Sequence, residues 1–156
     1  MEVVKMFEAK LKELGIDLPA TPKPVAAYVP AVQVEKYIYT SGQIPFVNGE
    51  LKYKGKVGGQ VSETDGYEAA KICAINCLSA VKGIAGSLDN IEKIVKVTGF
   101  VNSAAGFSAQ PKVVNGASEL FGQVFGDAGS HSRSAVGVSE LPLDAPVEVE
   151  IIVKLK

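Results

Sequence analysis

The spacing of hydrophobic residues along the chain predicts helices and strands in a definite order. Apolar side chains that recur every three or four residues predict helices, and segments rich in valine, isoleucine and tyrosine predict strands. The predicted helices are 2–14, a long one that Ser62 or Thr64 caps and Gly86 ends, and a third from Pro111 to Gly126. The predicted strands are 25–35, 37–44, 50–57 (a strand or a loop), 91–103, 133–141 and 147–155.

This order, one helix followed by β-β-β-α-β-α-β-β, predicts an α+β fold with a six-stranded sheet. The two later helices can cover only one face of such a sheet. The other face must contact water or a partner, so we expect the protein to form oligomers. The first helix and the proline-rich connector at 16–24 form an extension, 1–24, ahead of a core at 25–156. We expect one domain over the whole of 1–156.

Alternation in the last two strands predicts which polar side chains share a face of the sheet. The final strand alternates valine or isoleucine with Glu148 and other polar residues. Val136 and Val138 are predicted core residues. Arg133 would then lie on the face away from the helices, which is also the face of Glu148. In a simple hairpin Glu148 lies nearer Gly137 than Arg133. The two charged groups would then meet only if a neighbouring subunit supplied one of them.

Composition narrows the class of protein. Of 156 residues, 47% are hydrophobic and 21% are charged, which is typical of a globular protein. The net charge is −1 and the pI about 5.9, with scattered lysines, which argues against a nucleic-acid-binding protein. The amino-terminal residues do not have the pattern of a signal peptide, and the sequence has no apolar run long enough to span a membrane. We therefore expect a soluble, cytoplasmic protein.

The two cysteines are predicted to be structural. Cys73 and Cys77 lie four residues apart on one predicted helix, where disulfide geometry is poor, so we expect two small buried hydrophobic side chains. The sequence has no cysteine–histidine cluster and no glycine-rich phosphate loop, so we expect neither a metal site nor a cofactor.

Three motifs carry a resemblance to a known family. The segment SRSAVGVSELPLDAPVEVEIIV (132–153) combines an arginine, a Leu-Pro pair and a Val-Glu-Val-Glu strand. TSGQIP (40–45) and Asn115 of the helix after the fourth strand occur in the matching order. The chain resembles the Rid/YjgF family, in a longer variant, over roughly 25–155. The resemblance implies a chorismate-mutase-like fold with a mixed sheet, a homotrimer with clefts between subunits, and hydrolysis of small reactive enamines or imines to 2-keto acids and ammonia.

The resemblance also implies roles for individual residues. Arg133 matches the arginine that binds the substrate carboxylate, a task suited to its planar fork of donors. Glu148 matches the glutamate that positions or activates the hydrolytic water. The alternatives are a structural ion pair for Arg133 and a solvated side chain for Glu148. The remaining residues implied to contact the substrate are Tyr28, Ser41, Gly42 and Asn115.

Three positions near Arg133 depart from the family or add to it. Several members have cysteine where this chain has Ala135, and Gly137 replaces a bulkier residue, which is expected to widen the cleft. His131 is the only histidine, and a continuing strand would place it on the same face as Arg133. It is either an acid or base that supports the site or, as its Gly/Ser-rich surroundings favour, a solvent-exposed loop residue.

Two other functions stay open. A trimer of this kind could bind a small carboxylate as a sensor or carrier without catalysis, since the pocket is altered at Ala135 and Gly137. Some members of the family carry an endoribonuclease or translation-inhibitor label, but the chain lacks paired histidines and a basic stripe to hold phosphates. The expected partner is therefore a small carboxylate, with no nucleic acid and no membrane.

Overall fold

A computed structural model describes residues 6–21, 23 and 27–156. Its helices are α1 (Phe7–Glu13), α2 (Glu63–Ala85) and α3 (Gln110–Phe125). Its strands are β1 (Ala31–Val34), β2 (Tyr37–Thr40), β3 (Phe46–Val47), β4 (Glu50–Leu51), β5 (Ile91–Asn102), β6 (Ser132–Val138) and β7 (Val147–Leu155). The predicted α+β class and the order of elements are confirmed. Val3, the first apolar residue of the predicted amino-terminal helix, lies outside the described residues.

The main sheet has five strands rather than the six predicted. Its order is β1-β2-β7-β5-β6, and it is mixed because β5 and β6 run parallel while the other pairs are antiparallel. β3 and β4 instead form a separate two-residue hairpin across Asn48 and Gly49, which both have positive φ. The predicted strand 50–57 ends early, at Leu51, because Gly55, at φ 117°, turns the chain, although Tyr53 and Val57 alternate with lysines.

Capping residues fix the ends of the two long helices. Ser62 caps α2, because its Oγ accepts a hydrogen bond from the backbone N–H of Asp65 at 3.0 Å, and Gly86 ends the helix at φ 78°. Pro111 lies in the first turn of α3, and Gly126 follows its last residue. The sequence allowed either Ser62 or Thr64 as the N-cap of α2, and this hydrogen bond identifies Ser62 as the cap.

The core lies between the helices and one face of the sheet. Alternate residues of β5 and β7, among them Val97, Val101, Val149 and Ile151, are fully or almost fully buried there. Cys73 and Cys77 of α2 are buried in the same layer as free thiols, as predicted, and their sulfurs contact the carbonyl oxygens of β7. Burial raises the pKa of the Cys77 thiol to about 12, which keeps it protonated and unreactive at neutral pH.

The opposite face of the sheet exposes several large apolar side chains, which no helix among the described residues covers. Val34 and Val136, on the first and last strands of the sheet, are 58% and 43% exposed, and Tyr39 between them is 41% exposed. An exposed apolar surface of this kind is typical of an interface with another protein. No helix among the described residues is long and apolar enough to cross a membrane.

Glycine allows the two long helices to approach closely, and a pair of substitutions in α3 tests this. A Cβ at Gly116 would lie 2.0 Å from the backbone oxygen of Tyr67, whereas one at the exposed Gly122 would contact nothing within 4 Å. We expect Gly116→Ala to lower the free energy of unfolding by about 2 kcal/mol or more, because the helices must separate. Gly122→Ala should raise it by about 0.5–1 kcal/mol through the higher helix propensity of alanine. Urea unfolding followed by circular dichroism measures both, and equal effects would contradict the close contact.

Candidate functional site

Arg133 lies on the edge strand β6, and its guanidinium turns towards helix α3. Its Nη1 donates hydrogen bonds to Oδ1 of Asn115 at 2.8 Å and to Oγ of Ser118 at 3.2 Å. Its Nη2 lies 3.4 Å from the carbonyl oxygen of Pro111. These three α3 residues share one helix face because they are spaced by four and three positions. These contacts of Nη1 and Nη2 with α3 hold the guanidinium in place from one side.

His131 joins this group through the same serine. Its Nε2 lies 2.8 Å from Oγ of Ser118, and its Nδ1 lies 2.7 Å from the carbonyl oxygen of Gly129. The ring also meets Phe121 edge-on, at 6.1 Å between centroids and 87° between planes. His131 is half-buried with both ring nitrogens in hydrogen bonds, so the interpretation of a solvent-exposed loop histidine is wrong. We call Arg133, Asn115, Ser118 and His131 the arginine cluster.

Glu148 of β7 lies away from the arginine cluster, beside Gly42, which follows β2. A Cβ at Gly42 would fall 2.2 Å from Oε1 of Glu148, so glycine is needed for the carboxylate to lie against this backbone. The two residues line a pocket of about 720 Å³, within the usual range for small-molecule sites. Its other lining residues include Pro19, Tyr28, Ile44, Phe46, Asn76, Ser79 and Leu143. We call this the glutamate pocket.

The surroundings of Glu148 favour its protonated form. Partial burial, and to a smaller extent the nearby negative charge of Glu150, raise the pKa of the Glu148 carboxyl above its ordinary value. A carboxylate with a raised pKa is a stronger base once ionised. This makes Glu148 the titratable group of the pocket that is best suited to take a proton from water near neutral pH.

The other predicted residues near Glu148 shape its pocket. Tyr28 lines it and is 64% exposed. Ser41 donates its hydroxyl to the carbonyl oxygen of Val29 at 2.6 Å, which ties the chain before β1 to the segment containing Gly42. The structure therefore gathers Tyr28, Ser41, Gly42 and Glu148 in one region and Arg133, Asn115 and His131 in another.

The prediction that Arg133 and Glu148 share a face of the sheet is wrong. Arg133 pairs with the fully buried Val97 and contacts α3, so it lies on the helix face. Glu148 alternates with the buried residues of β7 and lies on the opposite face. The error came from Val136, which is apolar but 43% exposed on the open face, whereas Ala135 packs against the core. Within one chain the two groups therefore cannot act on the same small molecule.

The altered positions near Arg133 also differ from expectation. Ala135 is the residue that packs inward at the position where several members of the family have cysteine. Gly137 does not open a wider cleft on its face of β6. A Cβ there would lie 2.7 Å from Nε2 of Gln110 and 3.1 Å from Oγ of Ser103, so that space is already filled.

The sequence did not predict a role for two residues of the site. Ser118 connects His131 to Arg133, and the only signal for it was its position on the α3 face of Pro111 and Asn115. Asn76 is buried in α2 and donates hydrogen bonds to the carbonyl oxygens of Ile44 and Phe46 at 3.0 and 3.1 Å. It holds the segment after Gly42 against the pocket, and a lone asparagine in a helix gives no sequence pattern for such a role.

Comparisons with known proteins agree with this fold. The family model described as YjgF/chorismate_mutase-like, which carries an endoribonuclease label, matches residues 8–155. A 2-iminobutanoate/2-iminopropanoate deaminase of Dermatophagoides farinae is 33% identical over 141 residues, which are 90% of this chain and 95% of the relative. Atu1372 of Agrobacterium tumefaciens, a protein of unknown function, is 40% identical with a TM-score of 0.89, covering 97% of this chain and 93% of that one.

A third comparison is with a structure that contains a ligand. E. coli TdcF, solved with bound serine, is 25% identical with a TM-score of 0.64, covering 87% of this chain and 94% of that one. The family match extends over almost the whole chain, and the three motifs found in the sequence lie within it. The chain is therefore a member of the Rid/YjgF family.

Proposed function

We propose that the protein hydrolyses small reactive enamines and imines to 2-keto acids and ammonia. The observation that carries this proposal is the partly buried Glu148 carboxylate beside Gly42, whose raised pKa suits a base that activates water. The relationship to an imine deaminase, at 33% identity over 90% of the chain, supports the same chemistry. Arg133 supplies the second requirement, a fork of donors for the substrate carboxylate.

Each group has a defined step in this reaction. Arg133 binds the carboxylate of the imine and leaves the C=N carbon facing Glu148. Glu148 takes a proton from a water molecule as the water oxygen forms a bond to the carbon of the protonated imine, and the C=N π pair becomes the lone pair of the nitrogen. Glu148 returns this proton to the nitrogen of the resulting carbinolamine, the C–N bond breaks and ammonia leaves, and the hydroxyl loses its proton to solvent as it becomes the carbonyl of the 2-keto acid. No nucleophilic side chain is required because the imine carbon is already electrophilic, so Ala135 is compatible with activity.

A shared site requires a second subunit. Arg133 lies on edge strand β6, while the glutamate pocket lies on the β2–β7 side of the sheet, towards the other edge. Because the two half-sites lie towards opposite edges, a head-to-tail contact would bring the arginine cluster of one chain to the glutamate pocket of the next. Repetition of that contact closes a ring, and we propose a homotrimer. The exposed Val34, Tyr39 and Val136 support burial of the open sheet face in this assembly.

Mixed trimers test the shared site directly. Arg133→Ala and Glu148→Gln should each be inactive alone, because each lacks one half of every site. When the two variants are unfolded together and refolded in equal amounts, three quarters of the trimers are mixed, and each has one intact site of three. We expect about a quarter of wild-type activity to return. A mixture that stays inactive, while wild-type protein refolds with full activity, would place both groups of a site in one chain.

The activity itself is tested by product release. An amino-acid oxidase or a pyridoxal-phosphate lyase generates 2-iminopropanoate or 2-aminoacrylate in place, and pyruvate and ammonia are followed with time. We expect the wild-type protein to accelerate release above the uncatalysed rate. Binding of a small carboxylate without catalysis is the alternative, and the bound serine of TdcF is consistent with it. Stable binding of pyruvate with no acceleration for several imines would favour that alternative.

A further inference from the structure

Hydrogen bonds connect the backbone at Gly129 to Arg133 through two side chains. A carbonyl oxygen only accepts, so the contact of 2.7 Å from Gly129 requires the hydrogen of the neutral ring on Nδ1 of His131. In this neutral tautomer Nε2 is a bare acceptor, and Ser118 donates its hydroxyl to it across 2.8 Å. The serine oxygen in turn accepts from Nη1 of Arg133 at 3.2 Å. With this tautomer every donor in the series has one acceptor, and the direction of each bond follows.

These hydrogen bonds determine which edge of the Arg133 guanidinium is free to bind a carboxylate. Both Nη1 hydrogens point to α3, one to Asn115 and one to Ser118. Within residues 6–21, 23 and 27–156, the remaining contact of Arg133 is the long one from Nη2 to Pro111. This leaves Nε–H and one Nη2–H, which lie along the same edge and match the two oxygens of a carboxylate.

We infer that His131 is a positioning residue, which acts through Ser118 to aim the free edge of Arg133 at the substrate carboxylate. Its ring is locked by the Gly129 carbonyl, by Ser118 and by the edge-on contact with Phe121. The inference rests on the proposed role of Arg133 as a carboxylate-binding group. It assigns a function to the single histidine of the chain and to a serine in the middle of a helix.

The ring tautomer can be read without any enzymatic activity. Because His131 is the only histidine, a long-range ¹H–¹⁵N spectrum of the uniformly labelled protein contains one imidazole. We expect Nδ1 to show the shift of a protonated nitrogen and Nε2 that of a bare one. Ser118→Ala should move the Nε2 shift, because that nitrogen loses its donor, while the Gly129 carbonyl keeps the hydrogen on Nδ1. A spectrum with the hydrogen on Nε2, or the averaged shifts of free histidine, would overturn the inference.

Binding of a probe carboxylate tests the consequence for Arg133. Pyruvate titrated into Ser118→Ala should bind about tenfold more weakly than into wild-type protein, since the loss of one hydrogen bond to a charged group frees the fork to rotate. Ser108→Ala, an exposed serine just before α3, is the matched control and should bind as wild type. His131→Gln, whose amide oxygen can accept from Ser118, should bind better than His131→Ala.

The outcomes separate this inference from the proposed function. If the wild-type protein binds pyruvate but hydrolyses no imine, the proposed deaminase activity is contradicted and the positioning role of His131 is not affected. In an active enzyme, the Ser118→Ala variant should raise KM far more than it lowers kcat, because the water-activating group is elsewhere. Equal pyruvate affinity in wild type, Ser118→Ala and His131→Ala would contradict the positioning role even in an active deaminase.

Discussion

Replacing Arg133 with alanine should lower kcat/KM for imino acids about a hundredfold or more while the protein stays folded. The guanidinium is the proposed partner of the substrate carboxylate, and truncating one member of a hydrogen-bonded charge pair typically costs about 2–5 kcal/mol. Arg133→Lys should recover only part of this loss, because an ammonium lacks the planar fork that pairs with both oxygens. The rate of 2-keto acid release at varied imine concentration gives kcat and KM for each variant.

Stability measurements separate this effect from misfolding. Arg133 is half-buried on an edge strand, and its hydrogen-bond partners Asn115 and Ser118 lie in the partly exposed rim of α3. We expect Arg133→Ala to change the free energy of unfolding by no more than about 1 kcal/mol. The role would be contradicted if a folded, trimeric Arg133→Ala protein retained the wild-type kcat/KM.

Replacing Glu148 with glutamine should lower kcat about a hundredfold or more, with little change in KM. Glutamine keeps the shape of the side chain beside Gly42 but cannot accept a proton from water, and a positioned base typically contributes about 10²–10⁴-fold. The wild-type rate should rise with pH as Glu148 ionises, and the midpoint should lie above the ordinary range for glutamate because its pKa is raised. Glu148→Gln should lose this dependence. Glu150→Gln is the matched control, since that residue affects the site only through its charge.

The same substitution should make the protein more stable at neutral pH. Because the folded-state pKa of Glu148 lies above its unfolded value, the folded state holds the proton more tightly. Stability therefore falls as pH rises from the unfolded pKa through the folded one, and above both the ionised carboxylate is a net cost. We expect Glu148→Gln to melt at a higher temperature than wild type at pH 7. The difference should vanish below the ordinary glutamate pKa, and a constant difference across pH would argue against the raised pKa.

The sequence predicted the fold where local signals and packing agree. The long helices and their glycine stops follow from periodicity and turn chemistry, and the structure confirms them. The sixth strand was wrong because Gly55, at positive φ, turns the chain, although the alternation of lysine with apolar residues around it is typical of a strand. β1 and β2 are shorter than predicted for a related reason. Their continuous pairing with neighbouring strands ends at Thr40, beyond which Gln43 forms an isolated bridge to Val149, and sequence alone does not show where a neighbour stops.

Motifs supplied the candidate site residues, and alternation assigned Arg133 to the wrong face of the sheet. Alternation assumes that apolar residues of a strand face the core, and β6 violates this because Val136 lies on an uncovered apolar face. A surface that belongs to an assembly has the hydrophobic pattern of a core, so one chain cannot distinguish the two. Ser118 was missed because its partners, His131 and Arg133, lie 13 and 15 positions away and meet it only through the folding of α3 against β6.

A row of aromatic rings extends from the amino-terminal helix to the arginine cluster. The ring of Phe7 in α1 packs against that of Phe125 at 4.6 Å between centroids, with a tilt of 59°. The Phe125 centroid lies 6.5 Å from that of Phe121, and Phe121 contacts the imidazole of His131 edge-on. Deleting α1 would leave Phe125 without its outer neighbour and open a void two rings from the imidazole. Truncation past Phe7 is therefore expected to weaken ligand binding, although the missing helix lies far from the bound molecule along the chain.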